Sequence, residues 1–296
     1  MERVAALTNA HPYIRLFRGK TFVIKASGKV LSDPATLQVF AQDVAILADV
    51  GIRCVLVHGG GPQLDQLCAQ MGVPQQIVGG RRVTDADTHR LARMLFRGQL
   101  NSELVSALTA AGVRAVGLSG GDGTTIQGQR RPPRLVRDGA EERMVDFGFV
   151  GNVDRVDRSL PELLLDRGLV PVFCSLIGAA DGALLNVNAD TVAAALAVAL
   201  KAEKLILCTT VPGLLEDASD SRRLVSYGDL DTVGELIARG AVTGGMLPKL
   251  SAVTDALRGG VPRVHLIDGM RRHALLLEIF TNEGCGTMLV PRREDG

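Results

Sequence analysis

Four short stretches place basic, acidic or amide side chains beside glycines or at the start of a predicted helix. They are TFVIKASGK (Thr21–Lys29), VLVHGGGPQ (Val55–Gln63), LLNVNADT (Leu184–Thr191) and VTGGMLPK (Val242–Lys249). Backbone N–H groups in glycine loops and at helix N-termini bind anions, and a lysine adds a full positive charge. Together the four stretches predict a site for a polyphosphate.

The glycine triplet Gly59–Gly61 follows three aliphatic residues and precedes Pro62. One interpretation is a tight turn from strand to helix, with Pro62 at the first helical position, where its missing N–H is not needed. The other is a cradle of backbone N–H groups around an anion. Short glycine motifs match by chance too often to decide alone, and the other three stretches favour the cradle.

Two well-known nucleotide signatures are absent from the sequence. There is no GxxxxGK[ST] loop, and LSGGDG does not match the Rossmann pattern GxGxxG. Both patterns depend on glycines at fixed positions around a phosphate. The sequence therefore argues against a P-loop enzyme and against a dinucleotide-dependent dehydrogenase.

Short strand-like runs alternate with longer helical patterns along the chain. The predicted strands are TFVIK, RCVLV, RAVGLSG, LVPVFCSLIG, KLILCT and RVHLID, and most of them precede a helical pattern. This alternation predicts an open, mainly parallel α/β sheet sandwiched by helices, with ligands at the carboxyl ends of the strands. The charged, proline-rich segment 126–145 is different, and we interpret it as an antiparallel excursion that is either a lid or a solvated hairpin.

No low-complexity linker divides the chain, so we expect two lobes that meet near Gly182. The expected units are an N-terminal oligomerisation helix at 1–18, an acceptor-binding and dimerisation lobe at 19–182, and an ATP-binding lobe at 183–296. In the first unit Val4, Leu7, Ile14 and Phe17 have near-helical spacing, and Pro12 is expected to bend the helix. This helix is either a docking element or packs on its own core.

Composition narrows the function classes. The formal net charge of +1 and the pI of 7.7 argue against a nucleic-acid partner. The five cysteines are odd in number and scattered, which is typical of small buried side chains in a reducing cytosol. No signal peptide or membrane span is predicted, so we expect a cytoplasmic protein. The histidines are too dispersed for a metal site, and His58 is interpreted as part of the loop scaffold.

Nearly the whole chain resembles the acetylglutamate kinase family, within the amino acid kinase superfamily. The resemblance rests on ordered blocks: RGKTFVIK, VLVHGGGPQ, GRRVTD, AVGLSG, FGFVGNV, NVNADT, KAEKLIL, VPGLL, TGGMLPK, ALRGGVPRVHLIDG and HALLLEIFT...GCGTM. It implies the amino acid kinase fold, with ATP and Mg²⁺ as cofactors. The implied reaction phosphorylates the side-chain carboxylate of N-acetyl-L-glutamate to N-acetylglutamyl 5-phosphate, in arginine biosynthesis. A carboxylate is already ionised at neutral pH, so this chemistry needs alignment and charge stabilisation rather than a general base.

The resemblance also implies roles for individual residues. Lys25 and Lys249 would approach the transferred phosphoryl group from its acceptor and donor sides, while Asp190 would hold both ammonium groups. The other implied sites are a phosphate cradle at Gly28, Gly59 and Gly60, an acceptor site at Gly60, Gly61, Arg82, Asn186 and Asn188, and a nucleotide pocket at Thr210, Gly213 and Gly245. Only the family motif favours Arg82 over Arg81, and no metal ligand in the protein is implied.

Regulation and assembly are implied in the same way. Arginine-inhibited members have an effector site that would correspond to His273, Glu283 and Gly286, close to the N-terminal helix. In those members the helix joins dimers into a hexamer, so a homo-oligomer is expected, and a PII-type regulatory protein is a candidate partner. For His273 the alternative is a surface histidine that begins a helix, and both interpretations stay open.

The sequence departs from the family at three positions. Ser27 replaces a glycine, Gly121 stands where lysine is frequent, and Thr210 stands where aspartate is usual. These departures bear on turnover and nucleotide affinity more than on the fold.

Two alternative functions are a non-catalytic regulatory domain of an acetylglutamate synthase and a sister kinase of a carrier-protein-linked aminoadipate. Retention of Lys25, Asp190 and Lys249, and a chain that ends soon after GTMLVPRRED, argue against the regulatory domain. The near-neutral charge and the NVNAD block favour a free small substrate.

Overall fold

The computed structural model describes residues 2–78, 81–138, 141–217, 223–242 and 244–292, with side chains at those positions other than 2–7, 137, 138 and 141. Val4 and Leu7 therefore lie outside the described side chains. The helices are α1 (Glu2–Phe17), α2 (Gly28–Ser32), α3 (Pro34–Asp49), α4 (Gly61–Gln70), α5 (Ala86–Arg93), α6 (Asn101–Ala110), α7 (Ser159–Asp166), α8 (Ala189–Ala199), α9 (Leu230–Ala238), α10 (Met246–Arg258) and α11 (Ala274–Phe280). A π-helical segment, Met94–Leu100, joins α5 to α6, and a 3₁₀ turn covers Asp122–Thr124.

The strands are β1 (Thr21–Ala26), β2 (Arg53–His58), β3 (Ile77–Val78), β4 (Arg81–Arg82), β5 (Ala115–Leu118), β6 (Ile126–Arg130), β7 (Arg134–Asp138), β8 (Glu141–Val145), β9 (Gly151–Val156), β10 (Val170–Cys174), β11 (Leu176–Gly178), β12 (Leu184–Asn186), β13 (Lys204–Thr209), β14 (Tyr227–Asp229), β15 (Arg263–Asp268) and β16 (Thr287–Val290). Eight of them form the main sheet in the order β14-β16-β15-β13-β1-β2-β10-β5. Every pair in it is parallel except β15 with β16. The predicted mainly parallel α/β sheet is confirmed.

Strand β1 lies in the middle of this sheet, bonded to β13 on one side and to β2 on the other. Its side chains alternate between two apolar cores, as the two-residue period of a strand requires. Phe22 and Ile24 belong to the core that includes α3 and α6, whereas Val23 belongs to the core that includes α8 and α10. The same alternation sends Lys25 to the α8 side.

The excursion between β5 and α7 is antiparallel, as predicted. Strand β6 pairs antiparallel with β9, and β7 pairs antiparallel with β8. Strands β12, β11, β6 and β9 form a second sheet in that order, and a small apolar core lies under the hairpin. That core consists of Val78, Val136, Val145, Phe147 and Val150.

The expected lobe boundary at Gly182 falls in the turn between β11 and β12, where Gly182 has a positive φ of 83°. The main sheet draws β1, β2, β5 and β10 from before this position and β13 to β16 from after it. Strands β1 and β13 pair directly across the two halves. The two halves therefore share one sheet, and the lobe division stays a prediction.

Helix α1 continues through Pro12 to Phe17. Phe17 is buried, with its ring 5.2 Å from that of Phe22 and 6.3 Å from that of Tyr13. The Tyr13 hydroxyl is hydrogen-bonded to Asn282, just beyond α11. The last turn of α1 thus packs on the chain's own core, although Leu16 remains 59% exposed. Among the described residues no helix combines the length and apolarity needed to cross a bilayer.

Candidate active site

The structure brings Lys25, Asp190 and Lys249 together. The Lys25 ammonium lies 2.9 Å from Oδ1 of Asp190, and the Lys249 ammonium donates a 2.8 Å hydrogen bond to Oδ2. Lys25 and Asp190 are buried and Lys249 is nearly so, with side-chain exposed fractions of 9%, 7% and 13% for Lys25, Asp190 and Lys249. One carboxylate therefore fixes two cations side by side.

Each of these side chains is placed by the start or the end of a regular element. Lys25 is the next-to-last residue of β1, and Asp190 is the second residue of α8. Asn188 caps α8, because its Oδ1 accepts a 2.7 Å hydrogen bond from the N–H of Asp190. Lys249 lies in the first turn of α10, which packs against α8. Two helix N-termini thus adjoin the lysine pair, and both favour negative charge there.

The pKa values follow from burial and pairing. Burial by itself raises the pKa of Asp190, but the charges of Lys25 and Lys249 outweigh it and lower that pKa to about 2. For Lys249 burial and then the charge of Lys25 lower the pKa, while Asp190 opposes both effects. Asp190 is therefore ionised at neutral pH, and it is the group that keeps Lys249 protonated.

The first loop, between β1 and α2, carries Ser27 and Gly28. Ser27 has a φ of −73°, which any residue adopts, and its Oγ accepts a 3.5 Å hydrogen bond from the N–H of Val30 as the cap of α2. The serine is therefore accommodated without backbone strain. Gly28 is different, because a Cβ there would lie 3.3 Å from Cα of Gly60 and 3.2 Å from Cδ of Pro62. The first loop and the glycine triplet are packed against each other at Gly28.

The glycine triplet after β2 combines both interpretations offered by the sequence. Pro62 is in the first turn of α4, as the simple turn requires. A Cβ on Gly60 would overlap Leu100 and lie 2.8 Å from Phe96, both in the π-helical segment, so close packing demands glycine there. A Cβ on Gly61 would meet nothing within 4 Å. The space beside Gly61 leaves room for a ligand at the N-terminus of α4.

His58 serves the loop as a neutral scaffold, as predicted. Its side chain is fully buried, and burial lowers its pKa to about 4. Nε2 lies 3.1 Å from the amide nitrogen of Asn101, which can only donate, so Nε2 accepts. Nδ1 then carries the proton and donates to the Gly59 carbonyl at 3.1 Å. The glycine triplet is thereby tied to α6.

Gln63 is a site residue that the sequence reasoning missed. Its amide nitrogen donates to the Gly28 carbonyl at 2.5 Å and to Oγ of Ser32 at 2.9 Å. Ser32 in turn donates to the same Gly28 carbonyl at 2.9 Å. The amide oxygen of Gln63 is buried, and a Cβ on Gly28 would come within 2.6 Å of it. Gln63 thus holds the two glycine loops in register.

We expect Gln63→Glu to reduce kcat roughly tenfold at neutral pH, because an ionised carboxylate repels the Gly28 carbonyl and small misplacements of reacting groups are costly. A protonated glutamic acid can donate to that carbonyl, so the variant should recover relative to wild type as pH falls. Steady-state kinetics between about pH 5.5 and about pH 8 measure both the fall in kcat and its recovery. Gln66→Glu, exposed on the same helix, is the matched control. Equal pH profiles for Gln63→Glu and wild type would contradict the loop-clamping role.

Two of the residues expected to bind the acceptor, Arg82 and Asn186, have polar partners within the protein. Arg82 forms an ion pair with Asp65, 2.5 Å away, and a short hydrogen bond to Gln75. Asn186 donates to Oγ1 of Thr84 at 3.2 Å. Among the described contacts, no hydrogen bond or ion pair joins Arg82 or Asn186 to Lys25 or Lys249. Their roles as acceptor ligands therefore stay predictions.

The nucleotide-side residues lie at the end of β13 and the start of α10. Thr210 is exposed directly after β13, and Gly245 directly precedes α10. Gly213 is required by packing, since a Cβ there would lie 2.9 Å from Leu224 and would overlap Thr287 of β16. Gly121 stands where the family frequently has lysine. The glycine makes room for Leu184, because a Cβ at position 121 would lie 2.6 Å from the Leu184 side chain.

The expected effector residues lie on both sides of α11 in the chain, with His273 before the helix and Glu283 and Gly286 after it. His273 precedes the helix in the left-handed region, with φ of 57°, and its Nδ1 lies 2.7 Å from Oδ1 of Asp43. Glu283 is exposed. The N–H of Gly286 donates to Glu278 at 3.1 Å and is therefore already occupied.

The side chains of Lys204, His265 and Glu278 form a buried polar row. Lys204 approaches Nε2 of His265 at 2.8 Å, and Nδ1 of His265 lies 2.6 Å from Oε1 of Glu278. Burial lowers the pKa of His265 to about 4, so its ring is neutral at neutral pH. The Lys204 ammonium also lies 5.0 Å from the ring centre of Phe17. This row of polar side chains links the end of α1 to the segment before β16.

The central arrangement suits the stabilisation of a multiply charged phosphate. Two ammonium groups and two helix N-termini converge there, and the only described carboxylate paired with those ammonium groups is Asp190. Among the described residues no group of three or more His, Cys, Asp or Glu side chains could hold a metal ion. It is the two ammonium groups and the two helix N-termini that suit the site to an anion.

Comparison with known proteins gives consistent relatives. A model of the amino acid kinase family matches residues 20–268. The acetylglutamate kinase of Myxococcus xanthus is 48% identical over 288 residues, which make up 97% of this chain and 94% of that one.

Two solved structures of one synthase are also similar. The N-acetylglutamate synthase of Neisseria gonorrhoeae complexed with coenzyme A and N-acetyl-glutamate superposes with a TM-score of 0.84 at 30% identity over 98% of this chain. The same synthase with coenzyme A and L-arginine gives 0.82 at 28% identity, again over 98% of this chain. This chain spans 64% and 65% of those synthase chains.

Proposed function

The chain belongs to the acetylglutamate kinase family of amino acid kinases, and we propose that Lys25, Asp190 and Lys249 form its phosphoryl-transfer centre. The reaction is the ATP-dependent phosphorylation of N-acetylglutamate in arginine biosynthesis. The observation that carries this proposal is the pairing of two buried ammonium groups with the two oxygens of one carboxylate. Such a pair is held rigid before substrate binds, so little reorganisation is needed when charge develops.

In the proposed mechanism an oxygen of the acceptor's side-chain carboxylate forms a bond to the γ-phosphorus as the bond from that phosphorus to the β–γ bridging oxygen breaks. ADP carries away the electron pair of the broken bond, and no proton needs to move. Lys25 would neutralise charge on the acceptor side and Lys249 on the donor side. Asp190 would touch neither reactant and would hold both lysines in position. The N–H groups of Gly28 and Gly60 would bind phosphoryl oxygens, and the N–H of Gly59 would have to exchange its 3.3 Å hydrogen bond to the Ala26 carbonyl for such a contact.

The substrates would approach from the two halves of the chain. The acceptor would be held by Gly60, Gly61, Arg82, Asn186 and Asn188, with its α-carboxylate replacing Asp65 as the partner of Arg82. ATP would lie beside Thr210, Gly213 and Gly245 in the second half. Mg²⁺ would be bound through the phosphate oxygens of ATP and would supply further charge neutralisation.

Hydroxylamine trapping tests the reaction. Enzyme, MgATP and N-acetylglutamate together should yield an acyl hydroxamate, and omission of any one component should abolish it. Glutamate, aspartate and a carrier-linked aminoadipate serve as alternative acceptors. No hydroxamate at high enzyme concentration would favour a regulatory domain, and preference for the carrier-linked acceptor would favour the sister kinase.

Arginine regulation is proposed at His273, Glu283 and Gly286, in a hexamer built from dimers through α1. Support comes from the contacts of α1 with α11 and from the similar synthase that was solved with L-arginine. A PII-type partner stays a prediction.

Deletion of residues 2–12 should leave active dimers with weaker arginine inhibition, since effector binding and assembly would be linked equilibria. The deletion stops before Tyr13 because Phe17 belongs to the core of the molecule and Tyr13 packs against that core. Light scattering and inhibition curves on the truncated and full-length chains measure the outcome. A full-length dimer, or a truncated hexamer with unchanged inhibition, contradicts the assembly.

A further inference from the structure

The His58 side chain is fully buried at the end of β2, directly before the glycine triplet. Its Nδ1 lies 3.1 Å from the Gly59 carbonyl oxygen, and its Nε2 lies 3.1 Å from the amide nitrogen of Asn101. A carbonyl oxygen only accepts and an amide NH2 group only donates. One neutral tautomer, with the proton on Nδ1, therefore satisfies both contacts.

The orientation of the Asn101 amide follows from a second contact. Its nitrogen also donates to the carbonyl oxygen of Val172 in β10, at 3.0 Å. Because that carbonyl only accepts, the group that faces it must be the NH2 group rather than the amide oxygen. The two hydrogens of this group then serve Val172 and His58. Asn101 therefore fixes which nitrogen of His58 carries the proton.

The contact at Gly59 sets the direction of a neighbouring donor. The peptide bond between Gly59 and Gly60 is trans, so its C=O and N–H groups point in opposite directions. A carbonyl held by the imidazole therefore directs the Gly60 N–H away from the ring. Among the described residues that N–H has no hydrogen-bond partner, whereas the N–H of Gly59 donates to the Ala26 carbonyl at 3.3 Å. The Gly60 N–H is thus left to a ligand, in a direction set by His58.

Side chains between Phe96 and Asn101 cover both the histidine and the glycine triplet. Phe96 and Leu100 are the groups that a Cβ on Gly60 would meet. Phe96 and Asn101 are five positions apart, and an α-helix would place them on different faces. The i→i+5 turns of a π-helix bring such residues to the same face. The π-helical segment therefore allows one stretch of chain to reach both Gly60 and His58.

The main sheet leaves room for the Asn101 amide at Gly117. Gly117 in β5 is paired with Val172 in β10. A Cβ on Gly117 would overlap the amide oxygen of Asn101 and lie 3.1 Å from its Cγ. Arg97 of the π-helical segment donates to the Gly117 carbonyl at 2.9 Å. Glycine at position 117 is therefore needed for Asn101 to reach Val172.

We propose that His58 is a positioning residue for phosphoryl transfer, which directs the Gly60 N–H at the transferred group and is itself held by Asn101. This inference rests on the proposed function, in which the Gly60 N–H binds a phosphoryl oxygen. His58 would touch neither substrate and would move no proton, because its one ring N–H is donated to the backbone. A donor that is fixed before substrate binds needs no reorganisation as charge develops, so its effect belongs to the transition state.

Two substitutions of His58 separate its two contacts. Asparagine places an amide nitrogen near the position of Nδ1, since both atoms are bonded to Cγ, so His58→Asn keeps the donor for Gly59 and loses the acceptor for Asn101. Glutamine reaches the position of Nε2 instead, so His58→Gln keeps the acceptor and loses the donor. Each variant gives up one buried hydrogen bond, and denaturant titrations should show similar losses of stability.

The two variants should differ in turnover. His58→Gln should lower kcat about tenfold or more, with the KM values for ATP and N-acetylglutamate within about twofold of wild type, because a misdirected Gly60 N–H acts on the transition state. His58→Asn should keep kcat within about threefold of wild type, because the donor to Gly59 is retained. His11→Gln, exposed on α1, is the control and should keep wild-type kinetics.

Equal kcat values for His58→Asn and His58→Gln, whether near wild type or reduced in step with stability, would show a purely structural role and overturn the proposal. A raised KM without a loss of kcat would overturn it as well. Failure of the proposed function is recognised separately, because hydroxamate formation by wild type and the loss of turnover in Asp190→Asn do not depend on His58. If both of those results are obtained and His58→Gln turns over like wild type, only the role of His58 is wrong.

Discussion

Asp190→Asn should lower kcat by a factor on the order of a thousand, the largest effect expected of any single substitution here. Asparagine keeps the shape of the side chain but removes the charge that holds Lys25 and Lys249 together. The two buried ammonium groups then repel each other and lose their placement. Steady-state turnover with saturating substrates measures the change, and Asp255→Asn, exposed on α10, is the matched control.

The same substitution should alter the pH dependence of the residual activity. Substitution of Asp190 removes the largest of the effects that oppose the burial and the Lys25 charge, both of which lower the pKa of Lys249. Residual activity should therefore fall at a lower alkaline pH than wild-type activity does. A variant with more than about a tenth of wild-type turnover, a difference of only about 1.4 kcal/mol, would show that Asp190 does not organise the centre.

Stability should respond as well. Loss of one partner in a buried ion pair typically destabilises by about 3–5 kcal/mol. The pKa of Asp190 is lowered from 3.8 to about 2 in the folded chain. The ionised carboxylate therefore stabilises the fold fully above about pH 4, and this stabilisation is lost as pH falls through about 2. The stability difference between wild type and Asp190→Asn in denaturant titrations should accordingly narrow over that acidic range.

Lys25→Met should reduce kcat about a hundredfold or more with a much smaller change in the KM for ATP. Methionine retains most of the apolar stem but removes the charge that would act on the acceptor side. The ammonium is needed mainly where negative charge develops, so its loss should affect the transition state more than ground-state binding.

Lys29→Met is the matched control for Lys25→Met, because Lys29 is exposed only four residues further along. The control should keep wild-type kinetics. A fall in kcat of less than about tenfold for Lys25→Met, or an equal rise in the KM for ATP, would remove Lys25 from the assigned role.

The sequence predicted those features whose signals are local. The alternation of strands and helices sufficed for the mainly parallel sheet, because each element carries its own periodicity. The approach of Lys25, Asp190 and Lys249 was expected because each residue stands at the end or the start of a predicted element, and parallel strands end at a common edge.

The remaining features depend on contacts between distant segments. Gln63 reaches Gly28 across 35 positions, and nothing in the spacing of GGGPQ indicates that contact. The same holds for Arg82, whose partner Asp65 lies on another element. The π-helical segment that covers Gly60 has no distinctive periodicity in MLFRGQL. Such features follow from packing, which a single sequence does not display.

The buried ring of His58 has a spectroscopic consequence. Its Nδ1 proton is donated to the Gly59 carbonyl, and Nε2 is held by Asn101. A proton so enclosed should exchange slowly with water and give a resolved downfield imidazole resonance. The hydrogen bond ends at the first glycine of the triplet, so the chemical shift of that proton should move when a phosphate binds the loop. His58 would then report occupancy of the loop by NMR without any added probe.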